Sequence, residues 1–227
     1  SKSDIDFTKR GVLKFLASIF DPLGLFSCVT LVCKVIYHDI CEANLDWDTR
    51  LPVNLMKKFC KWFDSLPLKL EVPRSLAKFE ENVYNIDLHV FADASIEGVS
   101  AALYLVVYQD SGVNCGLLTS KSRLSKKNQT IPRLELIAVH MGANIMKKVR
   151  RALKRYKIND CYGWTDSTVV LHWLKQNDPY KQFVGNRVAK VRELDYITWR
   201  HVPTLENPAD YGSRGCSVDK LPISWLQ

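Results

Sequence analysis

Asp93, Glu135, Asp166 and Asp210 are acidic residues at the ends of strands or in the opening turns of helices. Asp93 closes the apolar run 88–92, and Asp166 ends the strand-like stretch 160–165. Glu135 lies in the opening turns of an amphipathic pattern that begins at Pro132, and Asp210 follows Asn207 and Pro208. An ionised carboxylate withdrawn from water is costly unless a cation or hydrogen-bond donors meet it. Each has a local reading. Asp93 can bond the backbone of a turn at Ser95 or Ile96, and Glu135 is favoured by a helix dipole. Asp166 or Ser167 can be an N-cap, and Asp210 sits where a capping box places its acid.

A joint reading assigns them chemistry. Ligand sites in sheets with parallel segments gather at the carboxyl ends of strands, and Asp93 and Asp166 both end strands. Two carboxylates 4 Å apart repel by about 4 kcal/mol at an effective dielectric near 20, so four of them need cations to stay ionised together. A set of oxygen ligands without His or Cys selects Mg²⁺ or Mn²⁺ over zinc. Two such ions would clamp the attacking and leaving oxygens of an in-line displacement at phosphorus.

The elements that must position these residues follow from periodicity. Strands are expected over 85–93, 99–108 and 115–119, with turns at Gly98 and at 109–112. A long helix over 132–153 aligns Leu134, Ile137, Ala138, Met141, Ile145 and Val149. A strand at 160–165, helices at 167–176 and 181–194, a strand at 196–202 and a short helix from Pro208 complete the pattern. Three antiparallel strands followed by strand–helix alternation give an α/β fold, a mixed five-stranded sheet with helices on its faces.

Residues 1–80 read differently, as a small helical region. Thr8 caps a helix carrying Val12, Leu13, Leu16, Ile19 and Phe20, and 21–24 stops it. Further helices are expected over 26–44 and from Pro52, then an extended linker over 66–74. The expected division is 1–80, 81–216 and a carboxyl-terminal tail, 217–227.

The 227 residues suffice for a substantial core, and 47% apolar and 25% charged residues are ordinary for a globular chain. A net charge of +8 favours acidic partners, nucleic acid first. Seven scattered cysteines with no C-x-x-C pair suggest free thiols in a reducing compartment. Charged interruptions of the most apolar run, 22–40, argue against a membrane span. Without a signal-peptide pattern, an intracellular location, cytoplasmic or nuclear, is expected.

"FADAS…GVSAALY", "IPRLELIA", "WTDSTVVLHWL" and "HVP…ENPAD" resemble, in order, the four signature segments of a ribonuclease H domain as found in retrotransposon polyproteins. "FVGNRVAKVREL" and "NPADYGSRG" are similar to segments of the BEL/Pao-type elements, and the resemblance covers about residues 84–216. It implies a ribonuclease H-like fold and a metal site of Asp93, Glu135, Asp166 and Asp210 holding two Mg²⁺ or Mn²⁺ ions. The implied reaction is hydrolysis of the RNA strand of an RNA–DNA hybrid, leaving 5′-phosphate and 3′-hydroxyl ends, without an organic cofactor. "TKRGVLKFLASIFDPLGL" and "NLDWDTRLP" resemble the region after the polymerase palm, the thumb or connection of a reverse transcriptase. No Asp-Asp dipeptide of a polymerase palm occurs, so DNA synthesis is not expected. The chain looks like the carboxyl-terminal part of such an enzyme or a stand-alone derivative, with the polymerase part as a candidate partner.

His201 precedes Asp210 by nine residues, where ribonucleases H often carry a histidine that aids product release or proton transfer. The end of the last strand is its other reading. Lys121, Arg123, Lys126 and Lys127 form a basic stretch ahead of Glu135, suited to sequence-independent phosphate contacts or to a solvated face. Ser95, Ser167, Ser213 and Arg214 are further candidates, the serines for 2′-hydroxyls. Two rival readings remain: an inactive nucleic-acid-binding or polymerase-accessory module of the same fold, and another polynucleotidyl transferase such as an integrase or junction resolvase.

Overall fold

A computed structural model describes residues 6–66, 72, 75–176, 178–218 and 221. Thr8 caps α1 (Lys9–Ser18) by accepting from the Gly11 amide at 3.1 Å. It is followed by α2 (Ser27–Glu42) and α3 (Val53–Asp64), then β1 (Asn85–Ala94), β2 (Gly98–Gln109) and β3 (Gly112–Leu124). The rest comprises α4 (Ile131–Ala152), β4 (Ile158–Thr165), α5 (Thr168–Lys175), α6 (Gln182–Arg192), β5 (Thr198–His201) and α7 (Ala209–Arg214). Strand order is β3-β2-β1-β4-β5; β1, β2 and β3 pair antiparallel, while β4 lies parallel to both β1 and β5. This is the expected mixed five-stranded α/β sheet.

Alternation in β1 sends Ile86, Leu88, Val90 and Ala92 to one face, where they join Leu134, Ala138 and Met141 of α4 in one apolar cluster. Ile137, Ile145 and Val149 pack against the same cluster, so the whole helical stripe read from periodicity is used. Gly163 lets Trp199 lie over β4, since a Cβ there would fall 2.5 Å from the indole ring. The other face carries Ala102, Tyr104 and Leu117, which share a second cluster with Val12, Val29 and Phe59 of the three amino-terminal helices. Trp62 fixes that layer internally by donating its indole N–H to the Val29 carbonyl at 3.0 Å. Sheet residues and the helical stretch therefore bury apolar surface together. No helix among the described residues is long and apolar enough to cross a membrane.

Three boundaries differ from expectation. β3 runs thirteen residues, well beyond 115–119, so Lys121 and Arg123 stand on a strand while Lys126 and Lys127 occupy the loop before α4. Its inward positions there are Ser120 and Ser122, buried but polar, which erases the apolar alternation that marks a strand. Helix α1 stops at Ser18, leaving Phe20 90% exposed rather than on the apolar face. β5 spans only 198–201, within the expected 196–202. Most of the linker 66–74 and of the tail 217–227 lies outside the described residues.

Candidate active site

Ala92 of β1 pairs with Thr165 of β4, and Thr165 pairs with His201 of β5. Asp93 and Asp166 each come one residue later, so they sit side by side at the carboxyl ends of neighbouring parallel strands. Glu135, in the second turn of α4, and Asp210, in the first turn of α7, approach from elements packed on the sheet. The charges of Asp166 and Asp210 act on Asp93, and that of Asp166 acts on Glu135.

The local roles open to Asp93 and Asp166 are filled by their neighbours. The turn after β1 is tied by Ser95, whose Oγ accepts from the amides of Glu97 (3.0 Å) and Gly98 (3.2 Å). Ser167 is the N-cap of α5, accepting from the Val170 amide at 3.2 Å. Asn207 opens α7, its Oδ1 accepting from the Ala209 amide at 3.2 Å while its Nδ2 donates to the Ala92 carbonyl at 3.1 Å. That last bond pins α7 to the end of β1, next to Asp93. Asp210 takes no part in a capping box.

What meets the carboxylates is mostly hydroxyl. Ser213 donates to Asp93 Oδ2, Ser167 to Glu135 Oε2, and Thr204 to Asp166 Oδ2 at 2.7 Å. Asp210 accepts from the Arg214 guanidinium at 2.5 Å. Asp166 Oδ1 is buried with no hydrogen-bond partner. Burial pushes the Asp93 carboxyl up to about 6, helped by Asp166 and Asp210 and opposed by the Ser213 hydroxyl. Glu135 is raised for the same reasons, burial first, with Ser167 opposing and Asp166 adding.

The structure revises several expected contacts. Ser213 is fully buried on Asp93, so no 2′-hydroxyl can reach it. Ser95 and Ser167 are buried too, with their hydroxyls occupied as described; all three serines position the site instead. Arg214 is held by Asp210, and Lys127 by Glu42 of α2. Lys121, Arg123 and Lys126 are exposed. His201 is the exposed last residue of β5 rather than part of a loop, one strand from Asp166. No local pattern marks Thr204, and Asn207 reads from the sequence only as a helix cap; their partners Asp166 and Ala92 lie 38 and 115 residues away.

Among the described residues, only His38, Asp39 and Glu42 bring three ligand atoms within 4.8 Å of one another. Lysines already engage two of them, Lys58 on Asp39 at 2.8 Å and Lys127 on Glu42. The four carboxylates of the sheet end are neighbours, but no three of their oxygens are that close.

The family model described as the Pao retrotransposon-like RNaseH-like domain matches residues 8–167, from the first helix through Asp166. No curated protein matches the chain. Among solved structures, RNase H1 from the halophilic archaeon Halobacterium salinarum NRC-1 is 16% identical over 55% of this chain and 90% of that one, with a TM-score of 0.37. LC11-RNase H1, solved in complex with an RNA/DNA hybrid, is 15% identical over 55% of this chain and 91% of its own, with a TM-score of 0.36. The foamy viral protease-reverse transcriptase, solved in complex with dsDNA, is 12% identical over 86% of this chain and 42% of its own, with a TM-score of 0.47.

Proposed function

The chain belongs to the Pao retrotransposon-like RNaseH-like family, and on that premise we propose that it hydrolyses the RNA strand of RNA–DNA hybrids with the help of divalent metal. The observation that carries this reading is that Asp93 and Asp166 each follow the paired residues Ala92 and Thr165 of adjacent parallel strands, while Ser95 and Ser167 take the local backbone roles. Glu135 and Asp210 complete an oxygen-only set suited to Mg²⁺ or Mn²⁺. The set fits such ions on two further counts. Asp166 Oδ1 is buried and unpaired, and Asp93 is destabilised as an anion by burial and by two other carboxylates. Bound metal would supply the positive charge that lets all four ionise and would lower the pKa of water for attack at phosphorus.

The protein's own groups do the positioning. Ser213, Ser167 and Thr204 each donate to one oxygen of a carboxylate, which turns that side chain and leaves its remaining lone pairs for a cation. Arg214 steadies Asp210 from the solvent side. His201, exposed beside Thr165 at the same end of the sheet, is the residue to which we assign proton transfer to the leaving oxygen. Lys121, Arg123 and Lys126 contact phosphates without regard to base sequence. The polymerase part of a reverse transcriptase is the protein partner we assign on resemblance, and an intracellular site of action, cytoplasm or nucleus, belongs to the same proposal.

The test is cleavage of an end-labelled hybrid with and without Mg²⁺. Metal-dependent cuts in the RNA strand alone support the proposal, and an intact hybrid at micromolar protein refutes it. A nucleic-acid-binding module without catalysis is the second reading, favoured by the lack of three closely gathered oxygens. Tight hybrid binding without cleavage would select it.

A further inference from the structure

β3 is the edge strand farthest from β5, and the α1–α2 loop closes over it. The Leu23 carbonyl accepts from the Ser120 amide at 2.9 Å and from the Thr119 hydroxyl at 2.7 Å. Gly24 takes φ +72° there, and a Cβ on it would fall 1.9 Å from the Ser120 carbonyl oxygen. Only glycine allows that approach. Loop, strand and the later turns of α4 enclose a cleft of about 470 Å³.

Three lysines from three different elements line it: Lys34 of α2, Lys121 of β3 and Lys148 of α4. Lys34 is half-buried and donates to the Ser122 carbonyl at 3.2 Å. Asp21, the acidic residue of the lining, accepts from the Leu25 and Phe26 amides at 2.9 Å each and so serves the start of α2. Among the described residues, none of the three lysines forms an ion pair. Burial lowers the pKa of Lys34, offset in part by Asp21 and reinforced by Lys121 and Arg123. Lys121 is lowered too, by burial and then by Arg123 and Lys148. Three lysines against one aspartate leave an excess of positive charge around the cavity, which favours an anion.

We propose that this cleft is a phosphate-binding subsite that takes a backbone phosphodiester of bound nucleic acid on Lys34, Lys121 and Lys148. The proposal rests on the nucleic-acid reading given above. Lys121 pairs with Ala101, and Ala101 with Ala92, so the subsite stands level with the residue before Asp93. Two strand spacings separate them, about 10 Å across the sheet. Arg123 and Lys126 continue the positive surface toward the start of α4, which carries Glu135. A polyanion that runs from the carboxylates over the sheet edge would be gripped at both ends. An acidic peptide would find no such continuation to a phosphate-cleaving centre.

The experiment is anisotropy of a fluorescent hybrid bound without divalent metal, titrated over a range of salt. Lys121→Gln with Lys148→Gln should weaken binding about tenfold at low salt and reduce the salt slope by about 1. Lys34→Gln should do likewise, its fold checked by circular dichroism. Lys57→Gln with Lys61→Gln, which removes two exposed charges from α3, should stay within about twofold of the parent. Parental affinity and slope in the Lys121/Lys148 double variant would overturn the subsite. So would a parent protein that binds no hybrid, or a cleft that responds only to inorganic phosphate or an acidic peptide. Because binding is read without metal, failure of cleavage alone refutes the nuclease reading and leaves the subsite standing.

Discussion

β1 buries a carboxylate near each end, and the two are in opposite company. Asp87 is 6% exposed and Asp93 5%. Asp87 accepts from the Tyr108 hydroxyl at 2.7 Å and from the Asp160 amide at 3.1 Å, one donor to each oxygen. Asp93 has Ser213 on one oxygen, and its other close electrostatic neighbours include Asp166 and Asp210. Burial alone therefore does not make a site. Asp87 is a satisfied structural group that ties β1 to β2 and β4, while Asp93 is an unbalanced one that awaits positive charge.

The sharpest way to break this contrast is to remove each charge in turn and measure hybrid cleavage. Asp93→Asn should lower kcat/KM by at least about 10³-fold, as expected for a member of a catalytic unit, while Asp87→Asn should stay within about threefold. Equal losses would dissolve the distinction. Stability should move in opposite directions. In metal-free buffer at neutral pH, Asp93→Asn should raise the unfolding free energy by up to about 3 kcal/mol, from the shift of its carboxyl to about 6. Asp87→Ala should lower it by about 2 kcal/mol, because it strands the Tyr108 hydroxyl and the Asp160 amide. Urea denaturation reads both.

The pH dependence follows from the same shift. Between the unfolded carboxyl value near 4 and about 6, the folded state holds a proton at Asp93 that the unfolded chain has released. Its contribution to stability is therefore complete below about pH 4 and lost as pH rises through 6. Glu135 adds in the same direction. Melting curves should show this decline without metal, and Mg²⁺ should offset it above pH 6. The Asp93→Asn protein should show a flatter profile. A milder loss than that of Asp93→Asn is expected for Ser213→Ala, which keeps the charge but loses its donor: about a tenfold fall in cleavage, partly restored by Ser213→Thr.

Much of this architecture was legible in the sequence. The stripe on α4, the cap at Thr8 and the two strand ends bearing Asp93 and Asp166 all follow from period and local chemistry. Asp93 stood out by closing an apolar strand pattern, whereas Glu135, Asp166 and Asp210 each fit a local helix role and stood out only by their joint placement and by the family resemblance. Their supports did not, since Ser213 and Asp93 are 120 residues apart and Asn207 reaches back 115 to the Ala92 carbonyl. The far half of β3 was hidden because Ser120 and Ser122 fill its buried side, joining Ser27 and Ser100 in a hydroxyl network between α2 and the sheet. Asp87 was equally invisible. Its partner Tyr108 lies across a hairpin, and nothing in its own neighbourhood marks it as buried.

Crystals grown without metal and soaked in Mn²⁺ would test most directly whether the acids at the sheet end form one metal centre. The account predicts anomalous peaks shared by Asp93 and Asp166, adjoined by Glu135 and Asp210. Peaks confined to His38, Asp39 and Glu42 of α2, or an empty sheet end at millimolar Mn²⁺, would contradict it.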